Sequence, residues 1–335
     1  MLKDALAALA AKKDLAADEA ASAMGEIMDG SATPAQIASF LTALRLKGET
    51  VDEITGCARA MRQRSVKIDP GPGVVLDTCG TGGDGLGTFN ISTVSAFVVA
   101  ACGVKVAKHG NRAASSKCGS ADLLEALGVK LENPKEKLEG ILREVGIVYL
   151  HAPNFHPAMK HAAPIRKELG FRTIFNLLGP ICNPAGANVQ VIGVFSPQLT
   201  KPLAQVLKAL GSTRAFTFHG HGGLDELSTT GWNFAFDLNA GKLMEVTIGP
   251  ETVGVPVAKG ADLLGGQVAE NVAIAKEILA GKKGPKRDIV VLNAAIALVA
   301  AGQAKNPKDG ADKAADALDS GAAQKKLGQF TAATQ

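Results

Sequence analysis

Aromatic residues are scarce in this chain, as are the other features that mark nucleic-acid-binding proteins. Only 4% of the 335 residues are aromatic, with one Trp and one Tyr. Stacking platforms for single-stranded nucleic acid are therefore not expected. Basic and acidic residues number 36 and 32, and they are mixed along the chain. Because no polybasic arm is present, the sequence does not predict a DNA contact either. The net charge of +4 would suit a small polyanionic ligand.

Cysteine patterns and long apolar runs are also missing. The five cysteines are odd in number and include no C-x-x-C pair, which argues against a disulfide framework or a zinc knuckle and favours a reducing compartment. The first residues lack a signal-peptide pattern. The longest apolar run, Ile289 to Ala301, is interrupted by Asn293 and is too short to span a bilayer. We therefore expect a cytoplasmic protein with no membrane or nucleic-acid partner.

The first seventy residues read as helices. Thr33 and Gln36 form a capping box with Pro34 in the first turn, and Gly48 ends the segment. Thr50 and Glu53 repeat the box. Short helices with one apolar stripe are not stable alone in water. They must pack on each other, on the rest of the chain, or on a second subunit.

A Pro- and Gly-rich stretch at residues 69–73 marks a boundary, since these residues stop regular structure. Beyond it, strand and helix patterns alternate, which predicts an α/β fold with a mainly parallel sheet covered by helices. Residues 233–238 and 242–248 read as a hairpin. The Ala-, Lys- and Asp-rich tail after Lys305 is weakly specified.

The densest chemical signal is the glycine run from Asp77 to Gly85, which follows the first strand and precedes a helix. In open α/β sheets ligands bind at the carboxyl ends of strands. Backbone N–H groups there and the next helix N-terminus favour an anion. Ser92 and Thr93 add hydroxyl groups. The spacing matches neither the dinucleotide nor the Walker pattern, and the alternative is a purely structural tight turn.

Three further clusters carry polar side chains. Residues 108–120 include the cations Lys108 and Arg112, an imidazole and several hydroxyls, which suits phosphates, although a solvated basic turn would look similar. Asp225 and Glu226 offer oxygen ligands of the kind that Mg²⁺ prefers, although such pairs commonly lie on the surface. Arg166 could hold a carboxylate by a two-pronged bond, and His156 begins the same region, although both could be ordinary helix residues.

Together these segments resemble the anthranilate phosphoribosyltransferase family. The matching stretches are Gly80–Asp84, Asn90–Thr93, Lys108–Arg112, Arg172–Pro180 with Asn183–Pro184, and Gly223–Glu226. They occur in the family's order and spacing, and the resemblance extends to about Gly302.

The resemblance implies a small helical domain and a larger α/β domain, in the fold shared with pyrimidine nucleoside phosphorylases. The helical domain would comprise residues 1–70 with a returning segment at about 166–184. The α/β domain, which binds the phosphoribosyl donor, would comprise 71–165 and 185–335. The active site would lie in the cleft between them, and the chain would form a homodimer through the helical domain.

The resemblance also implies a reaction, which transfers the phosphoribosyl group of 5-phosphoribosyl-1-diphosphate to anthranilate in tryptophan biosynthesis. The residues that would bind the donor are Gly80, Gly82, Gly83, Asp84, Thr88, Asn90, Ile91, Ser92, Thr93, Lys108, His109, Gly110, Asn111, Arg112, Ser115, Ser116 and Ser120. Those that would line the anthranilate site are Gly80, His109, Asn111, His156, Arg166 and Pro180. Ser92, Asp225 and Glu226 would hold two Mg²⁺ ions, and no residue is assigned as a general acid or base.

Three alternatives remain open from the sequence. A relative could use another amine acceptor, and a pyrimidine nucleoside phosphorylase would split nucleosides with phosphate. A non-enzymatic anion-binding or regulatory module on the same scaffold would bind the donor without releasing diphosphate. Arg166, Asp225 and Glu226 together favour the transferase.

Overall fold

The computed structural model describes residues 1–113 and 116–335. Its helices and strands alternate over most of the chain after an all-helical start. The helices are α1 (Leu2–Ala10), α2 (Ala17–Met28), α3 (Pro34–Lys47), α4 (Val51–Gln63), α5 (Ile91–Ala101), α6 (Ser120–Ala126), α7 (Lys135–Glu144), α8 (Ala152–Phe155), α9 (Ala163–Leu169), α10 (Phe175–Ile181), α11 (Thr200–Ala209), α12 (Pro250–Val253), α13 (Val268–Leu279), α14 (Pro285–Ala300), α15 (Pro307–Asp319) and α16 (Ala322–Thr334). The strands are β1 (Val75–Gly80), β2 (Lys105–Gly110), β3 (Ile147–His151), β4 (Val189–Gly193), β5 (Arg214–His219), β6 (Asn233–Asn239) and β7 (Lys242–Ile248).

The capping boxes predicted in the first seventy residues are confirmed. The Thr33 hydroxyl accepts the Gln36 amide at 3.3 Å, and the Gln36 side chain accepts the Thr33 amide at 2.9 Å. At the start of α4 the Glu53 carboxylate accepts the Thr50 amide at 2.8 Å. The same buried carboxylate accepts the Leu15 amide at 3.0 Å and pairs with Lys47 at 3.0 Å. Glu53 therefore joins three segments of the helical region, and its burial is compensated by hydrogen bonds and an opposite charge.

The central sheet has seven strands in the order β3-β2-β1-β4-β5-β6-β7. Strands β1 to β5 pair in parallel, and β6 and β7 form the predicted antiparallel hairpin at one edge. The α/β fold with a mainly parallel sheet is thus confirmed. Because β2 and β4 lie on opposite sides of β1, the strand order reverses there, and a crevice opens outside the carboxyl ends of β1 and β4. The glycine run follows β1 at this position.

The helical region and one face of the sheet share a continuous apolar core. Apolar side chains of α1 to α4 pack with those of α10, including Phe175 and Leu178, and with Leu203 of α11. The Arg62 guanidinium of α4 donates to the Ile181 carbonyl at 2.8 Å. The residues near α10 therefore contact the helical region, while the returning segment and the domain boundaries stay a prediction.

The interpretation of the tail after Lys305 as weakly specified was wrong. This stretch forms α15 and α16, which pack against α14 and α5. Ala314, Leu318 and Phe330 are buried, and the Phe330 ring lies 6.1 Å from that of Phe97. Alanines give only a weak apolar stripe in the sequence, so their burial depends on the apolar faces of α5 and α14. Within the described residues, no helix has the length and apolar character needed to cross a membrane.

Candidate active site

The glycine run from Asp77 to Gly85 ends in a loop after β1, the glycine loop. This loop lies against an acidic corner after β5 that consists of Asp225 and Glu226. The Gly82 amide donates to Asp225 Oδ2 at 2.6 Å. A Cβ on Gly80 would overlap the Asp225 carboxylate, so only glycine permits this approach. Gly82 and Gly83 have φ angles of +73° and +76°, which L side chains rarely adopt. The sequence therefore places glycine where close approach and positive φ both require it.

Glu226, the second acid of the corner, contacts the first turn of α5. Its Oε1 accepts the Ser92 amide at 3.1 Å. The Lys108 ammonium lies 3.3 Å from the Ser92 hydroxyl and donates to the Thr78 carbonyl at 2.5 Å. Residues predicted from three separate motifs thus meet in one place, at the carboxyl ends of β1, β2 and β5.

The acidic corner has more negative charge than the neighbouring side chains balance. Burial raises the pKa of Asp225, and the charges of Glu226 and Asp84 raise it further. Burial also raises the pKa of Glu226, which Lys108 lowers only in part. One buried oxygen of Asp84, Oδ2, has no hydrogen-bond partner among the described residues. Clustered carboxylate oxygens beside a hydroxyl are the donor set of a hard divalent cation, so these residues fit Mg²⁺.

A buried network of polar side chains binds the backbone of β2 next to Lys108 and His109. The Asp77 carboxylate accepts the His109 amide at 3.1 Å and the Asn183 side-chain amide at 2.8 Å. Asn183 also donates to the Ala107 carbonyl at 2.7 Å. Burial raises the pKa of Asp77 to about 6. The network ties the segment after α10 to β1 and β2, and it orients two residues of the site through their backbone.

A cavity of about 540 Å³ lies beside the glycine loop. Residues from α4, the α8–α10 region and the ends of β1 and β2 line it, and among them are Gly80, His109, Asn111, His156, Arg166 and Pro180. Gly110, a predicted donor-binding residue, also lines this cavity. The structure therefore brings together all six residues predicted to surround a small aromatic acid.

Arg166 is the half-buried cation of this cavity, which the exposed Lys160 also lines. Its guanidinium carbon lies 5.1 Å from the centre of the Phe175 ring. Burial is the cause that lowers the pKa of Arg166, and no neighbouring carboxylate of the described chain perturbs it. A half-buried guanidinium without an anionic partner has lost part of its hydration, which a bound carboxylate would replace.

Two neutral histidines form another wall. The rings of His109 and His156 lie 5.0 Å apart. Burial, assisted by the neighbouring histidine, lowers the pKa of His109 to about 3, and burial lowers that of His156 to about 4. His109 Nδ1 lies 3.1 Å from the Gly179 carbonyl, which can only accept, so Nδ1 carries the proton. His109 Nε2, which has no described partner, is left as a hydrogen-bond acceptor.

The remaining predicted donor residues surround the loop less directly. Asn90 lies at the start of α5 and donates to the Cys118 carbonyl at 3.0 Å, and Thr88 bridges to Leu264. The side chains of Ile91 and Thr93 are buried, so only their backbone could reach a ligand.

The segment after β2 holds the other donor residues. The Ser120 hydroxyl lies 2.9 Å from the Tyr149 hydroxyl, and that of Ser116 donates to the Cys118 carbonyl at 3.4 Å. Arg112 forms ion pairs with Asp122 and Glu125 on α6, at 3.0 and 2.8 Å. Its guanidinium is therefore already paired in this structure. Ser115 lies outside the described residues.

Sequence reasoning missed the residues that hold the site in shape. Asn293, noted only as an interruption of an apolar run, accepts the Leu227 amide at 3.0 Å and donates to the Leu227 carbonyl at 2.8 Å. It thereby fixes the chain just after Glu226. Asn233 does the same for the Ser228 amide at 2.8 Å. A polar residue inside an otherwise apolar helix was the available signal for Asn293.

Comparisons with known proteins show which families and structures this chain is similar to. The family model described as "Glycosyl transferase family, a/b domain" matches residues 72–324, and "Glycosyl transferase family, helical bundle domain" matches residues 3–65. The anthranilate phosphoribosyltransferase of Moorella thermoacetica is 55% identical over 98% of this chain and 96% of its own length.

Two solved structures have the same fold over almost the whole chain. The crystal structure of anthranilate phosphoribosyltransferase from Thermus thermophilus is 45% identical, with a TM-score of 0.94, and covers 99% of both chains. The enzyme from Saccharomyces cerevisiae in complex with PRPP and Mg is 30% identical, with a TM-score of 0.90, and covers 99% of this chain and 97% of its own.

Proposed function

The chain belongs to the anthranilate phosphoribosyltransferase family, and from the geometry of its loop and cavity we propose how its residues carry out the family's reaction. It transfers the phosphoribosyl group of 5-phosphoribosyl-1-diphosphate to the amine of anthranilate, in tryptophan biosynthesis. The products are N-(5-phosphoribosyl)anthranilate and diphosphate.

One observation supports this assignment above the others: the two halves of the site meet at Gly80. Gly80 lines the cavity that contains Arg166, and it also lies against the Asp225 carboxylate. An aromatic acid in the cavity and a diphosphate at the acidic corner would therefore be neighbours. Holding two reactants next to each other removes much of the entropic cost of their reaction.

The donor would lie along the glycine loop and the start of α5. The proposed contacts come from backbone amides of the loop, from the hydroxyls of Ser92, Ser116 and Ser120, and from the ammonium of Lys108. Backbone N–H groups and a helix N-terminus stabilise phosphate oxygens. They also stabilise the negative charge that grows on the diphosphate as it departs. Arg112 would have to leave its pairs with Asp122 and Glu125 to take part.

The reaction uses magnesium, as the complex of the yeast relative with PRPP and Mg supports. We propose that two ions bind, with Asp225, Glu226 and Ser92 as their protein ligands. Mg²⁺ supplies positive charge that stabilises the departing diphosphate. The raised pKa values of Asp225 and Glu226 support this assignment, because a bound cation would relieve the repulsion that raises them.

The acceptor would lie in the cavity with its carboxylate at Arg166. Its amine is neutral near pH 7 and needs orientation more than activation. His109 Nε2 could accept one amine N–H, since Nδ1 is committed to the Gly179 carbonyl. We assign no general base, because burial lowers the pKa of both histidines that line the cavity and makes them weak bases. The neutral histidines, Met61 and Phe175 would exclude water from the reacting carbon.

We further propose a homodimer formed through the helical region, which places Leu46, 82% exposed near the end of α3, in the interface. The division of the chain at residues 1–70 with 166–184, and 71–165 with 185–335, stays part of this proposal. All five cysteines are free, which supports the proposal of a cytoplasmic enzyme.

The decisive experiment is a fluorescence assay of the purified chain. Anthranilate fluorescence should fall when 5-phosphoribosyl-1-diphosphate and Mg²⁺ are added, and excess EDTA should stop the loss. Released diphosphate should match the anthranilate consumed. Phosphate-dependent cleavage of a pyrimidine nucleoside without anthranilate turnover would instead indicate the phosphorylase. Donor binding without turnover of anthranilate or any other amine would indicate a non-enzymatic module.

A further inference from the structure

Arg172 lies in the short segment between α9 and α10, which carry Arg166 and Phe175 of the acceptor cavity. The segment is well fixed at both ends. Gly170 ends α9 in the left-handed conformation with φ +67°, and the Thr173 amide donates to the Asn176 side chain at 3.0 Å. Arg172 is therefore mounted on the acceptor side of the site.

The Arg172 side chain crosses to the donor side. Its guanidinium lies over the Phe195 ring, 4.0 Å from the centroid, and its Nη2 donates to the Gly83 carbonyl. Phe195 is itself fixed to the glycine loop, because its amide donates to the Thr81 hydroxyl at 3.1 Å. A planar guanidinium suits this position, since it can stack and donate at the same time, whereas a lysine ammonium cannot stack in this way.

The glycine loop is therefore held from two sides. Asp225 accepts the Gly82 amide at 2.6 Å, and Arg172 donates to the Gly83 carbonyl. Glycines at positive φ have the widest conformational freedom of any residue, so without such contacts the loop would sample many shapes. A trans peptide directs its C=O and N–H in opposite directions. Holding the Gly83 carbonyl therefore also fixes the direction of the Asp84 amide.

We propose that Arg172 is a positioning residue that presets the donor-binding shape of the glycine loop from the acceptor side of the cavity. The inference rests on the proposed function, because it concerns how tightly that donor binds. A preformed loop binds its ligand without the entropic cost of ordering four closely spaced glycines. Arg172 acts through the Gly83 carbonyl and need not touch the donor.

The test compares Arg172→Met with Lys167→Met in the full-length chain. Met keeps most of the apolar stem of Arg172 but removes the guanidinium. Lys167 lies on α9 and is exposed, so its replacement removes the same charge from the same region without touching the loop. We expect Arg172→Met to raise the calorimetric Kd for 5-phosphoribosyl-1-diphosphate with Mg²⁺, and the donor KM, by about tenfold. The anthranilate KM should stay within about twofold, and Lys167→Met should behave as wild type.

Two further variants separate positioning from charge and from stability. Arg172→Lys restores the charge but not the stack, and should recover only part of the donor affinity. Phe195→Leu removes the stacking surface and should raise the donor Kd by less than Arg172→Met does. In the double variant, the effects of Arg172→Met and Phe195→Leu on the free energy of donor binding should not be additive.

Three outcomes would overturn the inference. They are an unchanged donor Kd in Arg172→Met, an equal rise in Lys167→Met, and a fall in melting temperature with no change in the ratio of the two KM values. None of these outcomes would change the turnover of the wild type, so the proposed function would not be affected. A wild-type chain that binds donor but fails to turn over anthranilate would overturn the proposed function instead.

Discussion

At the scale of single residues, the site depends on charges that the fold buries before any ligand arrives. Asp225 and Glu226 repel each other, and burial raises the pKa of both. Arg166 is half-buried on the other side of Gly80, without a carboxylate partner among the described residues. Charged groups with unfavourable repulsion or lost hydration are found at functional sites, where a ligand of opposite charge can stabilise them. Each of these residues therefore has a consequence for stability as well as for turnover.

Replacing Asp225 by Asn and Glu226 by Gln should abolish turnover while the fold survives. The amides keep the shape but cannot bind Mg²⁺ as carboxylates do, so we expect a loss of at least about a thousandfold in kcat/KM. Mg²⁺ should raise the melting temperature of the wild type but not of this variant, because only a folded state that binds the ion is stabilised. The exposed Glu245 offers a control, and Glu245→Gln should change neither property. Normal Mg²⁺-dependent turnover in the double variant would remove the metal assignment.

The same variant gives a prediction about pH. Because the folded-state pKa values of both acids are raised, their ionised forms destabilise the metal-free protein. This cost is full above the folded-state pKa values and disappears as the pH falls below about 4, where both states are protonated. Without Mg²⁺ the double variant should therefore melt above the wild type near pH 8, and the difference should shrink as the pH falls. A constant difference in calorimetric melting temperature would show that the acids titrate normally.

Replacing Arg166 by Ala should weaken anthranilate binding selectively. A charge-assisted bond to a carboxylate is worth about 1.5–3 kcal/mol, so the anthranilate KM should rise by roughly ten- to a hundredfold. The donor KM should change little, since Arg166 lies on the acceptor side of Gly80. Lys167→Ala provides the matched loss of charge on the same helix. Steady-state kinetics with an unchanged anthranilate KM would argue that Arg166 does not hold the carboxylate.

At the scale of elements, the glycine loop joins a strand, a helix and an acidic corner through backbone contacts. Its positive φ angles and its contact with Asp225 disfavour side chains at Gly80 and Gly82. The loop can approach a phosphate closely for the same reason that it approaches Asp225. Its shape therefore follows from which residues are glycine and from what the neighbouring strands present to it.

Replacing Gly83 by Val should weaken donor binding more than it weakens the fold. The added Cβ would lie 2.9 Å from the Arg172 guanidinium, and φ +76° is strained for a β-branched residue. We expect the calorimetric donor Kd to rise at least about tenfold. Gly241 has φ +79° in the hairpin turn with open space around it, so Gly241→Val reports the cost of the backbone strain alone. Wild-type donor affinity in Gly83→Val would contradict a close approach of the loop to the ligand.

At the scale of the whole molecule, the proposed dimer interface rests on one exposed apolar side chain of the helical region. Leu46 is 82% exposed at the end of α3, and single exposed leucines are common on subunit interfaces and elsewhere. The proposed dimer would cover it. The α/β region has several exposed apolar residues, such as Val257 at 60%, which the dimer would leave exposed.

Replacing Leu46 by Glu should therefore shift the protein from dimer to monomer in sedimentation velocity. A buried carboxylate without a partner opposes association strongly. Val257→Glu is the matched control, and it should leave the sedimentation coefficient unchanged. A wild-type chain that sediments as a monomer at micromolar concentration would remove the dimer proposal, while leaving the reaction untouched.

Local patterns in the sequence determined much of this protein. The capping boxes at Thr33 and Thr50, the hairpin of β6 and β7, and the glycine loop after β1 follow from contacts between residues close in the chain. The strand–helix alternation also determined the α/β class, because a parallel connection needs a helix between its strands. These features were predictable because backbone conformation depends mainly on nearby residues.

Only the tertiary structure decided which distant residues meet. Nothing in the local pattern shows that Asp225 accepts from Gly82, that Asn293 fixes the chain after Glu226, or that Arg172 reaches the Gly83 carbonyl. The helices after Lys305 were missed for the same reason, since their small apolar residues become a core only against α5 and α14. Sequence spacing records neighbours along the chain, whereas burial, charge balance and pKa shifts depend on neighbours in space.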